Sequence, residues 1–146
     1  MTHFSIIGAI VFLMIATTES TMANEIKVKV QGVDVKRGGT LIVMLFSHTG
    51  FPKKHQDAIH STTVKANQTE ILFSFNTQLQ EMAIKVLHDE NGDGKVTKNW
   101  TGFLPVEGLG FSNEQKIGLT GPPNYQKSKV TIKDPISQFS ITLRYP

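Results

Sequence analysis

The run HDENGDGKVTKNW, His88 to Trp100, carries the most readable chemistry in the chain. Oxygen-bearing side chains recur at alternate positions, Asp89, Asn91 and Asp93, and Gly94 follows them. Calcium takes six to eight oxygen ligands, and a loop with such side chains at positions 1, 3 and 5 and glycine at 6 wraps one ion. On that count Lys95 at position 7 would offer its backbone carbonyl and Thr97 at position 9 a hydroxyl or a bound water. Position 12 should be a bidentate glutamate and is Trp100 instead, which excludes a standard EF-hand, as does the strand-like run leading in. A further carboxylate must come from elsewhere, and Glu107 is the candidate, because the chain can fold back across the loop. The opposing reading needs no ion. Asp89, Asn91 and Asp93 would bond their own backbone, while Gly92 and Gly94 supply positive φ. Both readings stay open on the sequence.

Other chemistry is thinner. His48, His55 and His60 surround one connection with Asp57 among them, but their spacing matches no zinc pattern. His88 is in phase with Met82, Ile84 and Val86, so it reads as a strand-end histidine bonded to an adjacent loop. Asp89, Glu90, Asp93 and Glu107 could supply a carboxylate pair for glycoside hydrolysis, but that needs a fixed separation, and the surroundings are rich in glycine. GFSNE lacks the G-x-S-x-G nucleophile pattern, there is no cysteine, and phosphate loops and dinucleotide fingerprints are absent. With no catalytic site assembled, the sequence favours a non-catalytic domain for binding or for accessory support in the cell envelope, with calcium stabilising the DENGDG loop. A carbohydrate-active or metal-dependent hydrolase and a metal-free structural domain are the alternatives.

The elements that must position these residues are strands. Ile26, Val28 and Val30 alternate with Lys27, Lys29 and Gln31, and TLIVMLFSH (Thr40 to His48) is apolar on both faces, as a central strand would be. Ile71, Phe73 and Phe75, then Met82, Ile84 and Val86, then Phe139, Ile141, Leu143 and Tyr145 repeat the alternation, with a short strand at Val130 and Ile132. Gly, Asn, Asp and Pro punctuate the runs. Lys53 to His60 could add a turn or two of helix. About seven short strands predict an all-β, antiparallel β-sandwich of immunoglobulin-like or transthyretin-like type. A long Gly/Pro-rich excursion, Gly92 to Lys127, interrupts it and holds Trp100, Phe103, Phe111 and Tyr125. Phe103 and Phe111 are expected to plug the end of the sandwich. Trp100 and Tyr125 could face a protein or carbohydrate partner.

Phe4 to Ala16 is apolar or small, and small residues follow to Thr21 and Ala23. This pattern predicts a secretory signal over 1–23 and one β-sandwich domain over 24–146, either periplasmic or secreted. The whole chain carries a net charge of +3, which becomes +4 once Glu19 leaves with the leader. The basic residues are scattered and form no stripe for nucleic acid. Without cysteine, an exported chain must rely on its core and on any ion it binds.

HDENGDGK, then GFLPVEGLGFSN (Gly102 to Asn113) and GPPNY (Gly121 to Tyr125), resemble the signature of a family of exported bacterial proteins, domain of unknown function family 2141. The opening VKVQGV followed by GGTLIVMLF resembles its first two strands, so the similarity spans about residues 25–146. The resemblance implies a β-sandwich and no established activity. It places His88, Asp89, Asn91, Asp93, Gly94, Pro105, Glu107, Gly108, Gly110, Phe111, Ser112 and Asn113 on the family's motif, with Asp93 where many members carry Asn. Pro105 limits the freedom of the approach to Glu107, while Gly108 and Gly110 would turn the chain sharply. The Glu107 segment is therefore predicted to pack beside the Asp89–Gly94 loop.

Overall fold

The computed structural model describes residues 22–146, so most of the expected leader lies outside the described residues. Among the described residues, eight strands form two sheets. In the first, β1 (Asn24–Gln31) lies between β4 (Glu70–Thr77) and β8 (Ile136–Thr142). In the second the order is β3 (His60–Lys65), β2 (Thr40–Phe46), β5 (Glu81–Asp89) and β6 (Gly108–Phe111), and β7 (Val130–Thr131) pairs with the start of β5. The fold is an all-β, two-sheet sandwich.

Period-two patterning explains the core. Ile26, Val28 and Val30 of β1, Phe73 and Phe75 of β4, and Ile141 of β8 meet Leu41, Val43 and Leu45 of β2 and Met82, Ile84 and Val86 of β5. Burying an aliphatic side chain of this size contributes roughly 1.5–3 kcal/mol, so this layer dominates stability. The remaining apolar residues of β2, β5 and β6 form a second cluster: Met44, Phe46, Leu87, Leu109 and Phe111. Partly buried Phe51, Ala58, Val96 and Ile117 cover it. That third layer is why every residue of β5 from Met82 to Asp89 is buried.

Several expectations are corrected. The sheets are not wholly antiparallel, because β1 and β8 run parallel. β3 and β6 are additional strands. β3 (HSTTVK) is an exposed edge without apolar alternation, and β6 is four residues long, half of them glycine. The turn of helix expected after β2 is there, as one 3₁₀ turn at His55–Asp57. Gly108 and Gly110 do not turn the chain. They lie in β6, where a Cβ on Gly110 would fall 2.6 Å from Ile141 Cγ2 and 3.0 Å from the Thr142 carbonyl oxygen, and one on Gly108 would strike the Tyr145 ring. Their absent side chains let β8 and the segment after it close against β6.

Overpacking of this kind typically costs about 1–3 kcal/mol. Gly110→Ala should therefore lower the urea-unfolding free energy by that amount. Gly118→Ala, whose Cβ would meet no heavy atom within 4 Å, should change it by less than about 0.5 kcal/mol.

Candidate functional site

β5 delivers Asp89, 2% exposed, to the point where the chain leaves the sheet. Its Oδ1 accepts from the N–H groups of Gly92 (2.9 Å) and Asp93 (3.2 Å), and Oδ2 from that of Gly94 (2.8 Å). Asn91 Oδ1 accepts from Asp93 N–H at 3.0 Å, and Asp93 Oδ1 from Lys95 N–H at 2.8 Å. Gly92 and Gly94 have φ near +76° and +70°, as the turn requires. Glu107, 3% exposed, lies behind the loop. Its Oε1 accepts from Glu90 N–H at 3.0 Å and its Oε2 from Thr97 N–H at 2.8 Å. The two buried carboxylates thus organise five backbone donors.

On the other side of β5, His88 is fully buried. Its Nε2 lies 2.6 Å from the Gly38 carbonyl oxygen, which can only accept, so Nε2 carries the proton. Nδ1 then accepts from the Tyr145 hydroxyl at 2.7 Å, and that oxygen accepts from Asp34 N–H at 2.9 Å. The adjacent loop that His88 bonds is therefore the one at Gly38. Arg37 lies 4.7 Å from the Tyr145 ring centroid and donates to Glu90 at 2.8 Å, tying this network to the start of the DENGDG loop.

The outer face of the same strand holds a group the sequence did not single out. Lys85 is 3% exposed between Met44 and Phe111, its cross-strand partners. Its ammonium donates to the Pro52 carbonyl oxygen at 2.8 Å and to His55 Nε2 at 2.6 Å, while His55 Nδ1 donates to the Gly94 carbonyl oxygen at 2.9 Å. Burial pulls the Lys85 ammonium down to about 8, and burial followed by the Lys85 charge lowers His55. The pair faces a cleft of about 720 Å³ between the turn at Pro52–Gln56 and the excursion. Val96, Leu109, Phe111 and Ile117 make its apolar walls, and Phe103 stands at its rim.

Asp89, Asn91, Asp93, Lys95 and Thr97 share one loop, and Glu107 packs beside it, as anticipated. Asn91 Nδ2 approaches Asp93 Oδ2 (3.3 Å) and Thr97 Oγ1 (3.0 Å), so the side chains at positions 3, 5 and 9 converge. Glu107 has both oxygens committed to backbone N–H groups. Among the described residues no three His, Asp or Glu side chains gather as a metal-ligand set. His48 lies against Tyr125 and His60 against Phe75, apart from the His55–Lys85 pair. Phe111 is buried as expected, but Phe103 is 83% exposed. It sits with Trp100, 96% exposed, on a hairpin closed by Asn99 and Leu104, so it is no plug. Tyr125 instead packs edge-on against Phe51. Lys85 had one sequence signal, a lone charge inside MAIKVL, where both strand faces are otherwise apolar. His55 had none.

A family model described as an uncharacterised protein conserved in bacteria (DUF2141) matches residues 28–139. The chain belongs to this family. The matched span contains the DENGDG loop, Glu107 and the Lys85 cleft, while Tyr145 lies beyond it. Comparison of this DUF2141 chain with curated proteins and with solved structures gives no match.

Two predictions follow from the geometry of this DUF2141 domain. Glu107→Gln sets an amide NH₂ against a backbone N–H, leaving a buried donor unmet at a cost of about 1–3 kcal/mol. Amide exchange should then quicken at Glu90 or Thr97 before it quickens in β2. Lys85 gives a pH signature. Between about pH 8 and 10.5 the unfolded chain keeps the Lys85 proton and the folded chain does not, so stability gains as pH rises through that window. Measured against Lys85→Met, which cancels the other titrations, the wild type should gain roughly 3 kcal/mol across it. A flat difference would mean that the ammonium is not held in a dry site.

Proposed function

We propose that this chain is an exported, non-catalytic binding domain whose ligand seat is the cleft over Lys85. The observation that carries this reading is the cleft itself, with apolar walls and few polar groups at its floor, as small-molecule sites have. The DENGDG loop serves it indirectly, because the Gly94 carbonyl orients His55 and the same turn forms one wall. Exposed Phe103 stands at the rim, where a bound molecule would cover it. The hydrogen bonds of Lys85 to the Pro52 carbonyl and of His55 to Gly94 favour holding over turnover, since they tie both groups to backbone. Export is supported by the leader-like pattern over residues 1–23. A screen of small amphipathic fragments by ¹H–¹⁵N NMR should perturb amides of Lys85, Val96 and Leu109 together. Perturbations scattered over the surface, or none, would remove the cleft as a seat.

A second reading concerns the ion. Asp93 Oδ2 and Thr97 Oγ1 meet at the Asn91 amide nitrogen, and an amide turned to present its oxygen would set three oxygens together, which supports calcium uptake by the loop after export, with Lys95 adding its carbonyl and Glu107 bracing the turn from behind. Extracellular calcium sites work at ~10⁻⁴ to 10⁻³ M, so 5 mM ion should stabilise the protein by about 1–2 kcal/mol. Asp93→Ala is the discriminating variant, because Asp89→Ala breaks three backbone bonds whether or not an ion binds. A calcium-dependent rise in Tm that Asp93→Ala abolishes supports the site. An unchanged Tm at 5 mM calcium leaves a turn held by its own carboxylates.

A further inference from the structure

Lys85 is a buried charge without a counter-charge. None of the ion pairs among the described residues includes it, and its two acceptors, the Pro52 carbonyl oxygen and the His55 imidazole, are neutral. Holding an ammonium in such surroundings is unfavourable unless a partner offsets the lost hydration. A methionine could pack between Met44 and Phe111 without that penalty. Two of the three ammonium N–H groups are engaged, which leaves one donor for a ligand. The rim has the same sign, since Lys53, Lys95 and Lys98 line the cleft against one acid, Asp93. Low-dielectric walls concentrate such a field. Asp89, the nearest buried acid on the strand, already accepts from three backbone N–H groups and points its oxygens into the loop.

We propose that the cleft binds a small organic anion with an apolar body, a medium-chain carboxylate, with its head group on Lys85 Nζ and its body along Val96, Leu109 and Phe111. This rests on the reading of the cleft as a ligand seat and names the ligand class. A volume of about 720 Å³ admits a chain of some ten carbons, within the usual range of small-molecule sites. The carboxylate supplies the missing counter-charge through a charge-assisted hydrogen bond, which is about twice as strong as a neutral one. A neutral ligand would cover Lys85 without compensating it, and a cation would meet four lysines.

The test is calorimetry and ¹H–¹⁵N NMR on the protein with decanoate, decanol and decylammonium, each below its aggregation limit. Decanoate should bind at the cleft, perturbing Lys85, Val96 and Leu109, at least tenfold more tightly than decanol. Lys85→Met should weaken decanoate by about ten- to hundredfold while binding decanol at least as tightly as the wild type does. A double Lys95→Gln, Lys98→Gln variant, altered only at exposed positions, should weaken it a few-fold and flatten its salt dependence. Equal binding of decanoate and decanol at the cleft would overturn the anion proposal and leave the seat standing. Tighter decylammonium would overturn it as well. No cleft perturbation by any of the three would remove both. Vesicles of phosphatidylglycerol, run in parallel, separate a free anion from a lipid surface. Binding to vesicles without a response to decanoate would make the ligand a lipid surface and overturn the proposal.

Discussion

Two carboxylates, Asp89 and Glu107, hold five backbone N–H groups between Glu90 and Thr97, and the outer side of the sandwich takes its shape from that arrangement. Each carboxylate is nearly dry. A buried anion is tolerable only where donors converge on it, and here the donors are the backbone of the loop itself. Because that backbone is fixed, the Gly94 carbonyl has a fixed direction, and through it so does His55. The wall of the cleft is therefore set by hydrogen bonds made on its far side, away from any ligand.

The sandwich core and the outer cluster divide the work. The inner faces of β2 and β5 close against β1, β4 and β8 and account for most of the buried apolar surface. The outer faces are too apolar to meet water and are covered by loop rather than by a third sheet. Loop is a poor cover, since its backbone must find partners of its own. The side chains of Asp89, Asn91, Asp93, Asn99 and Glu107 supply them, which is why this stretch is so rich in short polar residues and glycine. Lys85 lies where that cover is incomplete.

The sequence made the inner layer legible because period two separates Ile26, Val28 and Val30 from their lysine neighbours with no tertiary help. It also pointed to Glu107 as the carboxylate that could fold back on the loop, and Glu107 does so, on backbone N–H groups. β3 escaped notice because an exposed edge strand buries nothing and so shows no apolar alternation. β6 escaped because its glycines signal a turn in isolation, and only the approach of Ile141 and Tyr145 shows that they serve close packing. The burial of Lys85 depends on Pro52 and His55 reaching it from the connection after β2 and on Phe111 beside it in β6. No local pattern contains that. Phe103 was misplaced for the converse reason, as an aromatic in a hairpin of its own has no sheet to cover.

The parallel pairing of β1 with β8 gives the domain a direction. Asn24 opens β1 opposite Thr77, and the short step from Thr77 to Glu81 starts β5 at that same end. Gln31 and Asp89 close their strands at the other end, where Gly39 lies against the Asp89 carbonyl. Seven residue steps of β1 separate the two ends by roughly 23 Å at ~3.3 Å per residue. The chain therefore enters β1 at one pole of the sandwich, and the carboxylate-held loop sits at the opposite one. A molecule that covered the Asn24 end of the sandwich would leave that loop pointing away from it, with a clear approach from solution.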